Sequence, residues 1–94
     1  MAADRVTETT SLLVRTSKAH GVYEENELSG VYDQAWSEWY AQYAVDNGIG
    51  PLVGHPVTAD QLAQFLASSN VDFERDKPGD SWAAYTARRI IQEL

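Results

Sequence analysis

Hydrophobic and polar positions alternate with a helical period over three stretches of the chain. Residues three or four apart share one face of an α-helix. Between residues 31 and 47 this spacing places five aromatic side chains on one stripe, namely Tyr32, Trp36, Trp39, Tyr40 and Tyr43. Gly48 follows, where a left-handed residue commonly ends a helix. The pattern predicts an amphipathic helix over 31–47 whose aromatic face is mainly buried.

A second helix has the best-defined start in the sequence. Thr58 and Gln61 have the spacing of a capping box, and Val57 and Leu62 flank them as a hydrophobic staple. The pattern predicts a helix over about 59–74. Its inner stripe continues with Phe65, Leu66, Ser69 and Phe73.

A third helix is predicted over 81–94, after the turn signal Lys-Pro-Gly-Asp at 77–80. Asp80 or Ser81 is placed to cap its first turn. Its inner stripe consists of Trp82, Tyr85, Thr86, Arg89 and Ile90. The string Trp-x-x-(Trp/Tyr)-x-Ala is shared with the first stretch, and we expect these two aromatic helices to pack against each other.

The first thirty residues carry a weaker pattern. Leu12, Leu13 and Val14 favour a helix over about 9–20, although the threonines nearby lower helix propensity. Residues 1–6 are predicted to be disordered. The stretch 21–30 is predicted to be a connector between glycines, with at most a short helical turn at 24–29.

Together these patterns predict an all-α fold. The expected architecture is a small compact three- to four-helix bundle with an aromatic-rich core, formed by one domain over residues 1–94. A chain of this length buries roughly 60–65% of its unfolded surface, which suffices for one core. A homodimer is an alternative use for the aromatic surplus on one helix.

The charge is distributed unevenly. The net charge is −7, yet residues 19–74 contain nine acidic residues and no Lys or Arg, while both ends of the chain are mildly basic. Nucleic-acid binding requires a basic surface, so this distribution disfavours it. The chain has no apolar run of membrane-spanning length and no signal-peptide pattern, which makes the cytoplasm the expected location.

Motifs for catalysis, metals and cofactors do not appear. The chain has no cysteine, and its two histidines, His20 and His55, have no nearby histidine with which to form a metal motif. The acidic run 72–80 lacks the glycine and glutamate that a calcium loop needs. Walker A, dinucleotide and nucleophile-elbow motifs are missing. The sequence therefore implies no metal and no cofactor, and it favours a non-catalytic role.

Our first hypothesis is a small acidic cytoplasmic protein that acts in protein interaction or regulation. Its partner would carry a basic surface, because an acidic face accelerates association with such a partner. The candidate partner-binding residues lie in the expected connector and at the start of the next helix. They are Glu24, Glu25, Glu27, Asp33 and Glu38.

A second hypothesis is a small-molecule-binding or enzymatic domain. Its pocket would lie beneath the 48–56 loop, between the aromatic helices. The candidate pocket residues are Trp36, Trp39, His55 and Tyr85. A third hypothesis, an acidic mimic of nucleic acid, requires carboxylates at phosphate-like spacing along one face.

Overall fold

The computed structural model describes residues 4–94, which form helices and connecting turns without any strand. The α-helices are α1 (Arg5–Glu27), α2 (Trp36–Asp46), α3 (Ile49–Val53), α4 (Ala59–Asp76) and α5 (Trp82–Glu93). The prediction of a small all-α bundle is confirmed.

The four longer helices form a closed ring in which α1 contacts α2, α2 contacts α4, α4 contacts α5 and α5 contacts α1. The short helix α3 closes one end and contacts α1, α2 and α5. Helices α2 and α5 occupy opposite corners, so the predicted packing of these two helices against each other is limited to aromatic side chains. Each of the two long helices, α1 and α4, packs on both α2 and α5 and thereby separates them. Trp82 in the first turn of α5 contacts two rings of α2, with its ring centroid 6.1 Å from that of Trp36 and 5.6 Å from that of Tyr40.

Helix α1 begins earlier than the predicted 9–20 because Asp4 caps it. The Asp4 carboxylate accepts hydrogen bonds from the Val6 amide at 3.1 Å and from the Thr7 hydroxyl at 3.0 Å. The predicted disorder over 1–6 is therefore wrong for residues 4–6, and residues 1–3 lie outside the described residues. The low propensity of the threonines is overcome by packing, since Leu12 and Leu13 are fully buried.

Helix α1 also continues through the stretch 21–30 that was predicted to be a connector. Gly21 lies inside the helix, and its position has open space around it. The helix ends at Glu27, where Ser29 and Gly30 adopt positive φ angles of 53° and 80° and the Gly30 amide donates to the Glu24 carbonyl at 2.9 Å. The positive φ of Gly30 explains why the turn falls there rather than at Gly21.

Helix α2 begins at Trp36, five residues later than predicted. Asp33 forms a turn before it, because its carboxylate accepts from the Ala35 amide at 2.9 Å and its carbonyl accepts from the Trp36 amide. Tyr32 therefore lies outside the helix, and 69% of its surface is exposed. The predicted aromatic stripe is wrong at this position.

The centre of the bundle is aliphatic, and the aromatic rings pack around it. In α2 the fully buried residues are Ala41 and Ala44, while its rings are only partly buried. Small side chains allow helix axes to approach closely, which displaces the bulky rings to the edges of the contact. The central cluster consists of Leu12, Leu13, Ala41, Ala44, Ile49, Val57, Leu62, Ala63, Leu66, Ala83, Ala87 and Ile90.

The remaining helix ends follow the local signals. Thr58 and Gln61 form the predicted capping box, with both reciprocal hydrogen bonds at 3.1 Å. Ser81, rather than Asp80, caps α5 by accepting from the Ala84 amide.

The stretch 48–56, predicted to be a loop, contains α3. Arg5 donates to the carbonyls of Leu52 and Val53 at 2.7 and 2.6 Å, which places a positive charge at the negative end of that helix.

Candidate functional site

A buried histidine joins α1 to the turn before α2. His20 is 5% exposed, and its Nε2 atom lies 2.8 Å from the Oδ2 atom of Asp33. Its Nδ1 atom lies 3.7 Å from Glu24 Oε1, and the other oxygen of Glu24 accepts from the Asp33 amide. The rings of Trp39 and Tyr40 each lie 5.0 Å from the imidazole. This arrangement holds the turn 28–35 against the end of α1.

An open crevice of about 350 Å³ lies beside this histidine. It is bordered by residues of α1, of the turn before α2, and of α2, α4 and α5. Its aromatic walls are Tyr32, Trp36, Tyr40 and Trp82, and its polar groups belong to His20, Glu24, Asn70 and Glu74. The crevice is therefore a surface where aromatic faces and carboxylates meet.

Three rings of the crevice stand nearly perpendicular to one another. Trp36 and Tyr40 have centroids 5.3 Å apart at 83°, and Tyr40 and Trp82 have centroids 5.6 Å apart at 87°. Trp36 and Trp82 make an angle of 78°. Edge-to-face contacts of this kind contribute about 0.5–1.5 kcal/mol per pair beyond buried area. They hold the walls of the crevice in fixed relative orientations.

No Lys or Arg side chain of residues 4–94 borders the crevice or forms an ion pair with its acidic groups, although Lys77 lines an adjoining hollow with Glu74. The side chain of Glu74 makes no hydrogen bond or ion pair with any residue between 4 and 94. The neighbouring Arg75 instead binds Asp72 at 3.2 Å and Asp76 at 2.9 Å. The charge of Glu74 is thus left without an ion-pair partner among the described residues.

The acidic residues near the end of the chain are neutralised by adjacent arginines. Arg75 hydrogen-bonds Asp76 and lowers the pKa of that carboxyl below its ordinary value. Arg89 does the same to the pKa of Glu93, chiefly through the hydrogen bond between Nε and Oε2 at 2.8 Å. The hydrogen bonds with the carboxylates of Glu93 and Asp72 raise the pKa of Arg89 in return, and burial of the guanidinium partly opposes this shift. These arginines are therefore committed to their own part of the surface.

The predicted partner-binding residues fall into two groups. Glu24 and Asp33 turn toward His20, where their side chains are only 28% and 12% exposed. Glu25, Glu27 and Glu38 are exposed to solvent. Two of the predicted residues therefore serve the fold directly, and three are accessible to a partner.

The predicted pocket residues lie apart. Trp36 borders the crevice, whereas Trp39 stacks on Tyr43 at 5.6 Å and lines a separate hollow of about 220 Å³. His55 is exposed and lies 2.8 Å from the carbonyl of Leu94, at the end of α5. Tyr85 packs on Phe73 and Arg89. These four side chains do not surround a common space beneath residues 48–56.

The sequence patterns did not predict that His20, Tyr40, Glu74 and Trp82 belong to one site. Glu24 reaches the same site as His20 because α1 continues past Gly21, which places Glu24 one helical turn beyond His20. The pair His20 and Glu24, with the spacing i and i+4, was a signal available in the sequence. The contribution of Glu74 and Trp82 from α4 and α5 has no such local signal.

Two further kinds of site, a metal centre and a membrane-spanning helix, can be examined in the residues that the structure describes. Across residues 4–94, no group of three or more His, Cys, Asp or Glu side chains is arranged so that it could hold a metal ion. Among the helices of this part of the chain, none combines the length and apolarity needed to cross a bilayer. Comparison with models of known families, with curated proteins and with solved structures gives no significant match. Function must therefore be argued from the site itself.

Proposed function

We propose that this protein is a small non-catalytic interaction protein that binds a basic partner protein at the end of the bundle where α1 finishes. One observation carries this proposal. The last turn of α1 bears Glu24, Glu25 and Glu27 and no basic residue. The carboxyl end of a helix is already negative, so these charges are unfavourable there. A positively charged partner surface would relieve the repulsion.

The distribution of ion pairs supports this location. Arg75, Arg88 and Arg89 pair with acids of the last quarter of the chain, and Arg5 binds the carbonyls of α3. Glu25 and Glu27 have no cationic side chain of the described chain bound to them. Uncompensated charge at one end of a molecule steers a complementary partner toward that end.

The geometry of His20 supports binding rather than catalysis. General acid–base catalysis needs a ring nitrogen that can reach the substrate. Here Nε2 is hydrogen-bonded to Asp33, and Nδ1 faces Glu24. The ring borders the crevice but is only 5% exposed, so little of its surface can contact a molecule there. A cytoplasmic location and a homodimer stay predictions.

The proposal can be tested with a basic peptide of alternating arginine and glycine as the probe. We expect calorimetric titration to detect binding that weakens as salt is raised, because exposed charges are screened over about 10 Å at 0.1 M salt. The double variant Glu25→Lys/Glu27→Lys should abolish this binding without lowering the melting temperature. Reversal of these charges removes acids from the negative end of α1, so the fold is not expected to suffer.

A matched control carries the same change in net charge at the other end of the bundle. Glu8 lies near the start of α1, Asp46 lies in the last turn of α2, and both are exposed. The variant Glu8→Lys/Asp46→Lys should retain most of the peptide binding. Equal loss in the two double variants would mean that net charge alone attracts the peptide, and the assigned binding surface would be wrong.

A further inference from the structure

Arg89 shows how aromatic rings and carboxylates of this protein bind a guanidinium group. The Cζ atom of Arg89 lies 5.8 Å from the ring centre of Phe65 and 5.7 Å from that of Tyr85. Its nitrogens bind Asp72 at 2.7 Å and Glu93 at 2.8 Å. The group is thus placed beside two aromatic rings and bound by two carboxylates. Both contacts are favourable for a planar cation.

The crevice offers the same kinds of group without a guanidinium. Trp36, Tyr40 and Trp82 supply aromatic rings in fixed orientations, and Glu74 supplies a carboxylate without a partner, whereas Glu24 already accepts from the Asp33 amide. None of the seven Lys and Arg residues of the chain borders this crevice. The side chain of Glu74 in particular is exposed and makes no hydrogen bond with residues 4–94. The site is complementary to a cation that this chain does not provide there.

We propose that the crevice binds an arginine side chain of the basic partner. This inference rests on the proposed function and adds the anchor residue by which the partner is held. Arginine fits better than lysine because its planar group stacks on rings and binds a carboxylate through two nitrogens. It is also more weakly hydrated than an ammonium group, so less hydration is lost in an aromatic crevice.

Small probes test the crevice without any partner protein. N-acetylarginine amide should shift the indole N–H resonances of Trp36 and Trp82 in NMR spectra of the whole protein. N-acetylcitrulline amide has the same shape but no charge, and it should bind roughly twofold to thirtyfold more weakly, the factor that a loss of about 0.5–2 kcal/mol corresponds to. N-acetyllysine amide carries the charge without the planar group and should bind more weakly than the arginine probe.

Two variants place the probe in the crevice without touching the aliphatic centre. Glu74→Gln removes a charge from an exposed side chain, and Tyr32→Ala removes a wall residue that is 69% exposed. We expect each to weaken binding of the arginine probe severalfold. Glu38→Gln is the matched control, because it removes an exposed charge from a residue that does not border the crevice. It should leave the affinity unchanged.

The result that would overturn the inference is clear. Equal affinity for the arginine and citrulline probes, or unchanged arginine binding in Glu74→Gln, would show that the crevice is not a guanidinium site. If the arginine–glycine peptide still bound through Glu25 and Glu27 in that case, the proposed function would stand and only the anchor would be wrong. The converse result, an arginine probe in the crevice without peptide binding at Glu25 and Glu27, would refute the proposed function alone.

A second copy of the chain is the competing source of arginine. Arg15 is exposed and forms no ion pair with residues 4–94. Sedimentation at increasing concentration should show a monomer if the crevice serves a different protein. A dimer that dissociates in the variant Arg15→Gln would overturn the assignment to a partner and make the site a contact between copies.

Discussion

The Nε2 atom of His20 lies 2.8 Å from the Oδ2 atom of Asp33, although the two residues are separated by the end of α1 and the following turn. Both side chains are almost enclosed, at 7% and 12% exposure. The other oxygen of Asp33 accepts from the Ala35 amide just before α2. One carboxylate thus connects the last turns of α1 to the start of the next helix.

Replacement of Asp33 by alanine should therefore destabilise the fold. It leaves a buried imidazole nitrogen without its partner, which costs about 1–3 kcal/mol of the free energy of unfolding. Chemical denaturation would measure the loss. Asp33→Asn keeps an acceptor oxygen and should recover part of it, and Glu38→Ala is the control at a nearby exposed carboxylate. An Asp33→Ala protein as stable as Glu38→Ala would contradict the role assigned to this contact.

The second prediction concerns the contribution of the aliphatic centre to the free energy of unfolding. Leu66 is fully buried, and Leu66→Ala should lower the free energy of unfolding by about 2–5 kcal/mol through lost burial and the cavity left behind. Tyr32→Ala should change it by less than about 0.5 kcal/mol, because most of that ring faces solvent. Urea denaturation of the two variants compares them directly. A larger loss for Tyr32→Ala would place the ring in the core after all.

The third prediction concerns the contribution of the α4 capping box to the free energy of unfolding. In Thr58→Ala the hydroxyl that accepts from the Gln61 amide is lost, and we expect a decrease of about 0.5–2 kcal/mol in the free energy of unfolding. Ser68→Ala, at an exposed position inside the same helix, should be neutral or slightly stabilising because alanine has the higher helix propensity. Thermal denaturation would separate the two, and equal melting temperatures would rule out a contribution from the cap.

Stability at acid pH should depend on Glu93. Its hydrogen bond with Arg89 lowers the pKa of this carboxyl in the folded protein, so the unfolded state binds its proton first as the pH falls. The stabilisation is present above the unfolded pKa of about 4.3 and is lost as the pH falls through the lower folded value. The side chain is 46% exposed, and solvent screening limits the effect to less than about 1 kcal/mol.

The variant Glu93→Gln provides the measurement. Its melting temperature should lie below that of the parent protein near neutral pH, and the difference should disappear once the carboxyl is protonated in both states. Glu25→Gln is a suitable control, since this exposed carboxylate has no arginine bound to it. A difference that persisted unchanged into acid would show that the ion pair with Arg89 is not its source.

Local signals in the sequence were sufficient for α4 and α5. Thr58, Gln61 and Ser81 satisfy amides within three residues of themselves, so their geometry is fixed by short-range chemistry. The all-α class could be predicted for the same reason, since it too depends on short-range interactions. Helical periodicity is carried by residues three and four apart, and it does not depend on the rest of the fold.

The first helix shows where local signals mislead. Threonines and Gly21 weaken the helix from Arg5 to Glu27, yet burial of Leu12 and Leu13 outweighs their propensity. A glycine is a helix end only where the backbone needs a positive φ, as it does at Gly30 and not at Gly21. Sequence alone could not distinguish these two glycines, because the difference lies in how the chain continues to its neighbours.

The sequence by itself determined the all-α class, helices α4 and α5 with their caps, and the acidic middle of the chain, since each depends on neighbouring residues. The tertiary structure alone decided that α2 and α5 are diagonal, that alanines rather than rings occupy the buried face of α2, and that Glu74 and Trp82 join His20 at one crevice. The physical reason is that packing selects helix partners by the shape of whole faces. Contacts between residues far apart in the chain leave no periodic signal within any one helix.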